Sequence, residues 1–252
     1  MTLRAGWVVV ALFALPVRAE PVLAEQLEAL AAARVFFAHQ SVGQNVVDGL
    51  SVLASRAGVT LRIEEGRGAA PFARPGFIHA RAGRDGDPLG KLAAFAALLD
   101  EGPGNAAGIA LLELSYADFN ADTHVPALFA AFQLRHAELQ ARYPALKLVV
   151  VTAGLTTVGR GLQAMVRNRM ASGAFGEREN VKRHEFNQLL RHTYPGALLD
   201  LAAVQAGRCT FDRDGKQWPC LREELTDDGA HLNKLGRKEV ARALVTALTA
   251  AQ

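Results

Sequence analysis

Cysteine is nearly absent from this chain. Cys209 and Cys220 are the only two, too few for a disulfide-stapled miniprotein or a thiolate-rich metal centre. An excess of charge of one sign is missing as well. Twenty-eight Lys and Arg stand against 25 Asp and Glu, and no basic run is interleaved with aromatics, so the electrostatic footprint of a nucleic-acid binder is lacking. The apolar run at the amino end, Gly6–Pro16, falls short of the roughly 20 residues that a membrane-spanning helix needs. The histidines His79, His124, His136, His184 and His192 show no mutual ligand spacing, so no metal is assigned.

That short apolar run reads as part of a signal peptide over residues 1–19. Arg4 supplies a positive n-region, and Val17 and Ala19 place small residues at the −3 and −1 positions of a cleavage site. An uncleaved anchor is the alternative, disfavoured by the run's length. Removing the segment takes Arg4 and Arg18 with it and lowers the net charge of +3 by two. The expectation is an exported protein, periplasmic or secreted, without stable membrane insertion after cleavage, and one domain over residues 20–252. In that setting Cys209 and Cys220, eleven apart around the Asp214-Gly215 turn, read as a disulfide. Closing so short a loop contributes about 2–3 kcal/mol in the chain-entropy model.

Short apolar strands alternate with longer helical stretches along the rest. Strands are expected at Arg34–Ala38, Val59–Ile63, Gly108–Leu114, Lys147–Ala153 and Ala197–Leu201, mostly continuous apolar runs of the kind covered on both faces of a parallel sheet. Helices are expected at Gly43–Arg56, Pro88–Asp100, Val125–Tyr143, Asn180–Thr193 and Lys234–Ala250, the last with Val240, Leu244 and Leu248 on one stripe. Together they predict an α/β fold, a three-layer α/β/α sandwich around a five-stranded parallel sheet. Two stretches, Gly66–Asp87 and Leu155–Glu179, read as irregular and follow strand ends, where open α/β sheets place their ligands.

Chemistry concentrates at two distant points. Near the carboxyl end the chain reads LTDDGAHLNKLG, with Asp228 three residues before His231. A carboxylate so placed can bond Nδ1 of the ring and leave Nε2 outward as a general base. Its neighbour Asp227 lacks that spacing. Ser41, in FFAHQSVGQN, directly follows the first apolar run. A serine there is a favoured helix N-cap; it is equally a nucleophile beside free backbone amides, where the helix dipole favours an oxyanion. Gly43 lets backbone approach closely. Gly is missing two residues before Ser41, where His39 stands, so this is not the nucleophile elbow of α/β-hydrolases. His39 reads as a residue bonding locally at a strand end, and Asp200 as a buried acid with a hydrogen-bond partner.

The strand alternation, the serine after the first strand and the block DDGAHLNKLGRKEVARAL before the final helix resemble the SGNH (GDSL-like) hydrolases over essentially the whole chain after residue 19. The usual Gly-Asp-Ser reads His39-Gln40-Ser41, closer to a branch with a His-x-Ser-Val-Gly block. The resemblance implies a flavodoxin-like SGNH fold and a carboxylic-ester hydrolase with Ser41 as nucleophile, His231 as base and Asp228 as orienter. No cofactor is implied. The implied oxyanion hole takes the serine amide, a glycine amide after the second strand, for which Gly83 serves, and an Asn side chain after the third. That Asn position holds Ala117 within Ser115-Tyr116-Ala117-Asp118. Tyr116 and Asn120 are the candidate substitutes. Asp118, like Tyr116, reads either as a pocket residue or as one pairing with turn backbone. Two functions follow as expectations: an exported serine esterase acting on a small acyl or acetyl ester of a carbohydrate or other polar carrier, or a catalytically weak member of the fold binding a glycan or an envelope partner.

Overall fold

A computed structural model describes residues 21–159 and 175–252. Residues 1–19, where a signal peptide is expected, and much of the stretch Leu155–Glu179 expected to be irregular lie outside the described residues. Six parallel strands form the central sheet: β1 (Arg34–His39), β2 (Ile63–Glu65), β3 (Gly76–Arg81), β4 (Ile109–Leu112), β5 (Lys147–Val151) and β6 (Leu198–Leu199), in the order β2-β3-β1-β4-β5-β6. A separate antiparallel hairpin, β7 (Thr210–Arg213) and β8 (Lys216–Pro219), follows. The helices are α1 (Pro21–Ala32), α2 (Ser41–Ala57), α3 (Pro88–Asp100), the single turn α4 (Pro103–Ala106), α5 (Val125–Arg142), α6 (Glu177–Thr193), α7 (Leu201–Ala206) and α8 (Lys234–Ala250).

Two apolar layers sandwich the sheet because its strands bury both faces. Val35 and Phe37 of β1 join the cluster made with α1, α2, α7 and α8, whereas Phe36 and Ala38 point into the cluster made with α3, α5 and α6. α2 turns Val42, Val46, Leu50 and Leu53 inward and ends at Gly58, whose left-handed φ of 72° lets its amide reach the carbonyls of Ala54 and Ser55. α8 starts at Asn233, whose side chain accepts from the Leu235 and Gly236 amides, and buries Val240, Leu244 and Leu248 completely. The two helices approach so closely that a Cβ on Gly49 would lie 2.3 Å from the Arg237 carbonyl oxygen.

The sheet corrects the sequence expectation in one place. Residues 59–62 lie outside any strand, and β2 is a three-residue edge from Ile63 to Glu65. The strand between β2 and β1 is β3, inside the stretch expected to be irregular. Its sequence, GFIHAR, interrupts the apolar run with a histidine and lies among glycines, so period and composition concealed a strand that is buried at five of six positions. The sheet therefore has six strands rather than five. The disulfide between Cys209 and Cys220 is present and closes the base of the β7–β8 hairpin.

β1 has β3 on one side and β4 on the other, so the strand order reverses at β1. Such a switch point opens a crevice at the carboxyl ends of the strands, because the connections leave it in opposite directions. The segments after β1, β3 and β4 converge there.

Candidate active site

Ser41 is the first residue of α2, and the N-cap position belongs to Gln40. The N-cap reading of Ser41 is thereby corrected, and its hydroxyl is not engaged with its own helix. Ser41 Oγ lies 2.9 Å from His231 Nε2, and His231 Nδ1 lies 2.6 Å from Asp228 Oδ2. An ionised carboxylate only accepts, so Nδ1–H donates to Asp228 and Nε2 is left to accept from the serine hydroxyl.

The loop before α8 fixes the acid. Asp228 Oδ1 accepts from the amides of Ala230 (2.9 Å) and His231 (2.8 Å) and lies 3.3 Å from Thr226 Oγ1. Partial burial pushes the Asp228 carboxyl up, but the hydrogen bonds from the His231 ring and the two amides outweigh it and hold the group below the usual carboxylate range. Asp227, by contrast, meets Asn233 Nδ2 at 3.4 Å and makes no contact with the imidazole.

One residue that positions this loop escaped the sequence reading. Asn45, one helical turn after Ser41, is buried, and its Oδ1 accepts from the Leu232 amide at 2.9 Å. It ties α2 to the residue following His231 across 187 positions of sequence. A polar side chain at i+4 from the serine, on the inward face of an amphipathic helix, was the available signal.

Gly83 and Tyr116 follow β3 and β4, the two strands that neighbour β1. Gly83 has φ +64°, and a Cβ there would lie 2.9 Å from Lys91 Cα, so the loop after β3 packs directly on the first turn of α3. Gln40 holds that loop: its Nε2 donates to the carbonyls of Ala82 (2.9 Å) and Gly83 (2.8 Å). Tyr116 sets its ring edge-on to His231 at 5.8 Å. Burial first, then the carboxylates of Asp228 and Asp85, push its phenol up to about 12, so it remains a protonated donor. Its carbonyl accepts from the wholly buried Arg183 through Nε (3.2 Å) and Nη2 (3.0 Å). Asn120 is exposed and caps its own turn by accepting from the Asp122 amide and Thr123 Oγ1.

Lys91 joins the two loops. Its side chain is fully buried, and Nζ donates to Asp85 Oδ1 (2.7 Å), Asp118 Oδ2 (2.8 Å) and Ser115 Oγ (3.1 Å). Asp118 also accepts from the amides of Gly86 (3.0 Å) and Ser115 (2.7 Å). Of the two earlier readings for Asp118, the bonds to turn backbone are present, and the lysine is an addition. The two acids respond differently to the same lysine. Burial dominates at Asp118 and raises its pKa, whereas at half-exposed Asp85 the lysine and Ser115 outweigh burial and lower it.

The remaining sequence readings divide. His39 is buried beneath the site. Its Nδ1–H donates to the Gln40 carbonyl (2.7 Å), so its Nε2 accepts from His79 Nδ1–H (3.0 Å), as the local-bonding reading anticipated. Burial depresses its pKa to about 4 and keeps the ring neutral. Asp200 is only partly buried. It caps α7 through the Ala203 amide and pairs with Arg191 through Nε at 2.7 Å and Nη2 at 2.8 Å.

No protein-family model matches the chain, and no curated protein does. Solved structures do resemble it. A protein from Streptococcus pneumonia, named as a candidate platelet activating factor, superposes with a TM-score of 0.54 at 15% identity, over 90% of this chain and 91% of that one. A candidate SGNH hydrolase from Slackia heliotrinireducens gives a TM-score of 0.52 at 14% identity, over 86% and 99%. With its parallel sheet covered by helices on both faces, the chain has the SGNH hydrolase fold.

Proposed function

We propose that this protein is an exported serine esterase that cleaves a small acyl or acetyl ester of a carbohydrate or other polar carrier. The observation that carries the reading is the unbroken relay from Ser41 Oγ through His231 to Asp228, at 2.9 and 2.6 Å. Likeness to a candidate SGNH hydrolase supports the same reaction class. In this reading Ser41 attacks the ester carbonyl while His231 Nε2 takes the hydroxyl proton. The imidazolium that forms is stabilised by Asp228 and then protonates the departing alkoxide. Water, activated by the same imidazole, hydrolyses the acyl-enzyme and returns the serine. The amides of Ser41 and Gly83 would receive the oxyanion, with the Tyr116 phenol, after β4, as the donor in place of the Asn side chain that the family resemblance implies.

Ala117 motivates the second reading, a weakened enzyme that binds a glycan or envelope partner. Losing one oxyanion donor typically costs about 10²–10³ in kcat. Fluorophosphonate labelling with peptide mapping, paired with turnover of a chromogenic acetyl ester, separates the two. Modification confined to Ser41 and lost in Ser41→Ala supports the esterase. An unlabelled, folded parent protein that leaves the ester intact supports the binding module. Export is part of the proposal, and material recovered outside the cytoplasm should begin at Glu20 or within a few residues.

A further inference from the structure

Four amides at the start of a helix have no partner within it, and a side chain usually satisfies some of them. In α2 those amides belong to Gln40, Ser41, Val42 and Gly43. The Gln40 side chain caps none of them, because it is engaged with the carbonyls of Ala82 and Gly83. The cap comes instead from another strand. Glu113, just past β4 and 1% exposed, accepts through one oxygen, Oε2, from the Gln40 amide (3.1 Å) and the Gly43 amide (3.0 Å). One carboxyl thus bonds both ends of the turn that bears Ser41. Between them, the Ser41 and Val42 amides have no acceptor among the described residues. The fit demands glycine at position 43, where a Cβ would lie 2.7 Å from Oε2 and 2.3 Å from His39 Cβ.

We propose that Glu113 is the positioning residue for the nucleophile: by capping α2 from outside, it frees the Ser41 hydroxyl for His231 and leaves the Ser41 amide to the substrate oxygen. This rests on the serine-esterase reading above. A serine that had to cap its own helix would turn its hydroxyl toward the amide of the second or third helical residue and away from the imidazole. Burying an ionisable group here carries a cost, since Oε1 finds no partner among the described residues, and the two amide bonds to Oε2 offset it. The charged or titratable groups around Glu113 are Lys91 from α3, Tyr116 and Asp118 from the turn after β4, and His39 across Gly43. Burial pushes Glu113 up to about 7, whereas His39 lies near 4 and Asp118 is raised from a much lower starting value. Because His231 also touches this turn through Ser41, a transition at the α2 amides is assigned to Glu113 by its loss in Glu113→Gln.

The test uses the chain from residue 20 and two variants. Glu113→Gln keeps a carbonyl acceptor, and Glu113→Ala removes it. The Glu113→Ala protein should react with fluorophosphonate, and turn over an acetyl ester, about 10–100-fold more slowly than the parent. KM should change little, and Glu113→Gln should restore most of the rate. In ¹⁵N–¹H spectra the Gln40 and Gly43 amides should shift with a midpoint near pH 7 in the parent and lose that transition in Glu113→Gln. If Glu113→Ala does not fold, the glutamine variant's rate and spectra decide. Parental rates in a folded Glu113→Ala protein whose Ser41 is still labelled overturn the positioning role alone. Gln40 and Gly43 amide shifts that are the same in the parent and in folded Glu113→Ala overturn the clamp. A parent protein that is never labelled, whose Gln40 and Gly43 amides nonetheless change in the Glu113 variants, overturns the esterase reading and the positioning role with it, while the clamp stands.

Discussion

Replacing Lys91 with methionine should damage this protein more than any other single loss of charge discussed above. Methionine keeps the apolar stem against Gly83 but removes the ammonium that meets Asp85, Asp118 and Ser115. Asp118, with no side-chain exposure, would then be a buried carboxylate without a counter-charge. Removing one partner of a buried pair costs about 3–5 kcal/mol, a large part of the roughly 5–15 kcal/mol that holds a typical domain folded. The penalty should depend on pH with a defined sign. The Asp118 pKa is raised in the folded state even beside the lysine, and it rises further without it. A raised carboxyl contributes stability at low pH and loses it as pH climbs through the folded value. Urea unfolding followed by circular dichroism should therefore show a large deficit for Lys91→Met at pH 7 that narrows toward pH 5. Adding Asp118→Asn should recover part of the pH 7 deficit, with a coupling above about 1 kcal/mol. A deficit below about 1 kcal/mol at pH 7, or one that widens on acidification, refutes the reasoning.

Other perturbations have equally definite outcomes. Asp228→Asn should leave the melting temperature nearly unchanged while lowering kcat by as much as ~10⁴, by permitting the wrong imidazole tautomer, whereas Asp227→Asn should stay close to parental in a steady-state ester assay. Gly43→Ala gains helix propensity worth about 1 kcal/mol on an open surface, yet here the new methyl would meet His39 Cβ and Glu113 Oε2. Thermal unfolding should show a net loss of about 1–3 kcal/mol, as expected of overpacking. Burial raises Glu113 from 4.5 to about 7, so over that interval stability should fall as pH rises, by roughly 3 kcal/mol; subtracting the Glu113→Gln titration of unfolding free energy should isolate this slope.

Sequence alone determined the elements whose signals are local. Continuous apolar runs marked β1, β4 and β5, the stripe of Val240, Leu244 and Leu248 marked α8, and three residues of spacing singled out Asp228 over Asp227. Such patterns survive because each follows from the period of one element or the reach of one side chain. Tertiary structure decided what depends on partners far away in the chain. β3 is a strand because β1 and β2 supply its hydrogen bonds on either side, not because GFIHAR has a strand's apolar pattern. Ser41 is released from capping because Glu113, 70 residues from Gly43, takes the amides. Asn45 bonds the Leu232 amide, and Lys91 finds two carboxylates on separate loops, only once the helices have packed on the sheet. Polar groups in a buried site must find partners wherever the fold brings them, and that pairing is a property of the assembled sheet end rather than of any segment of sequence.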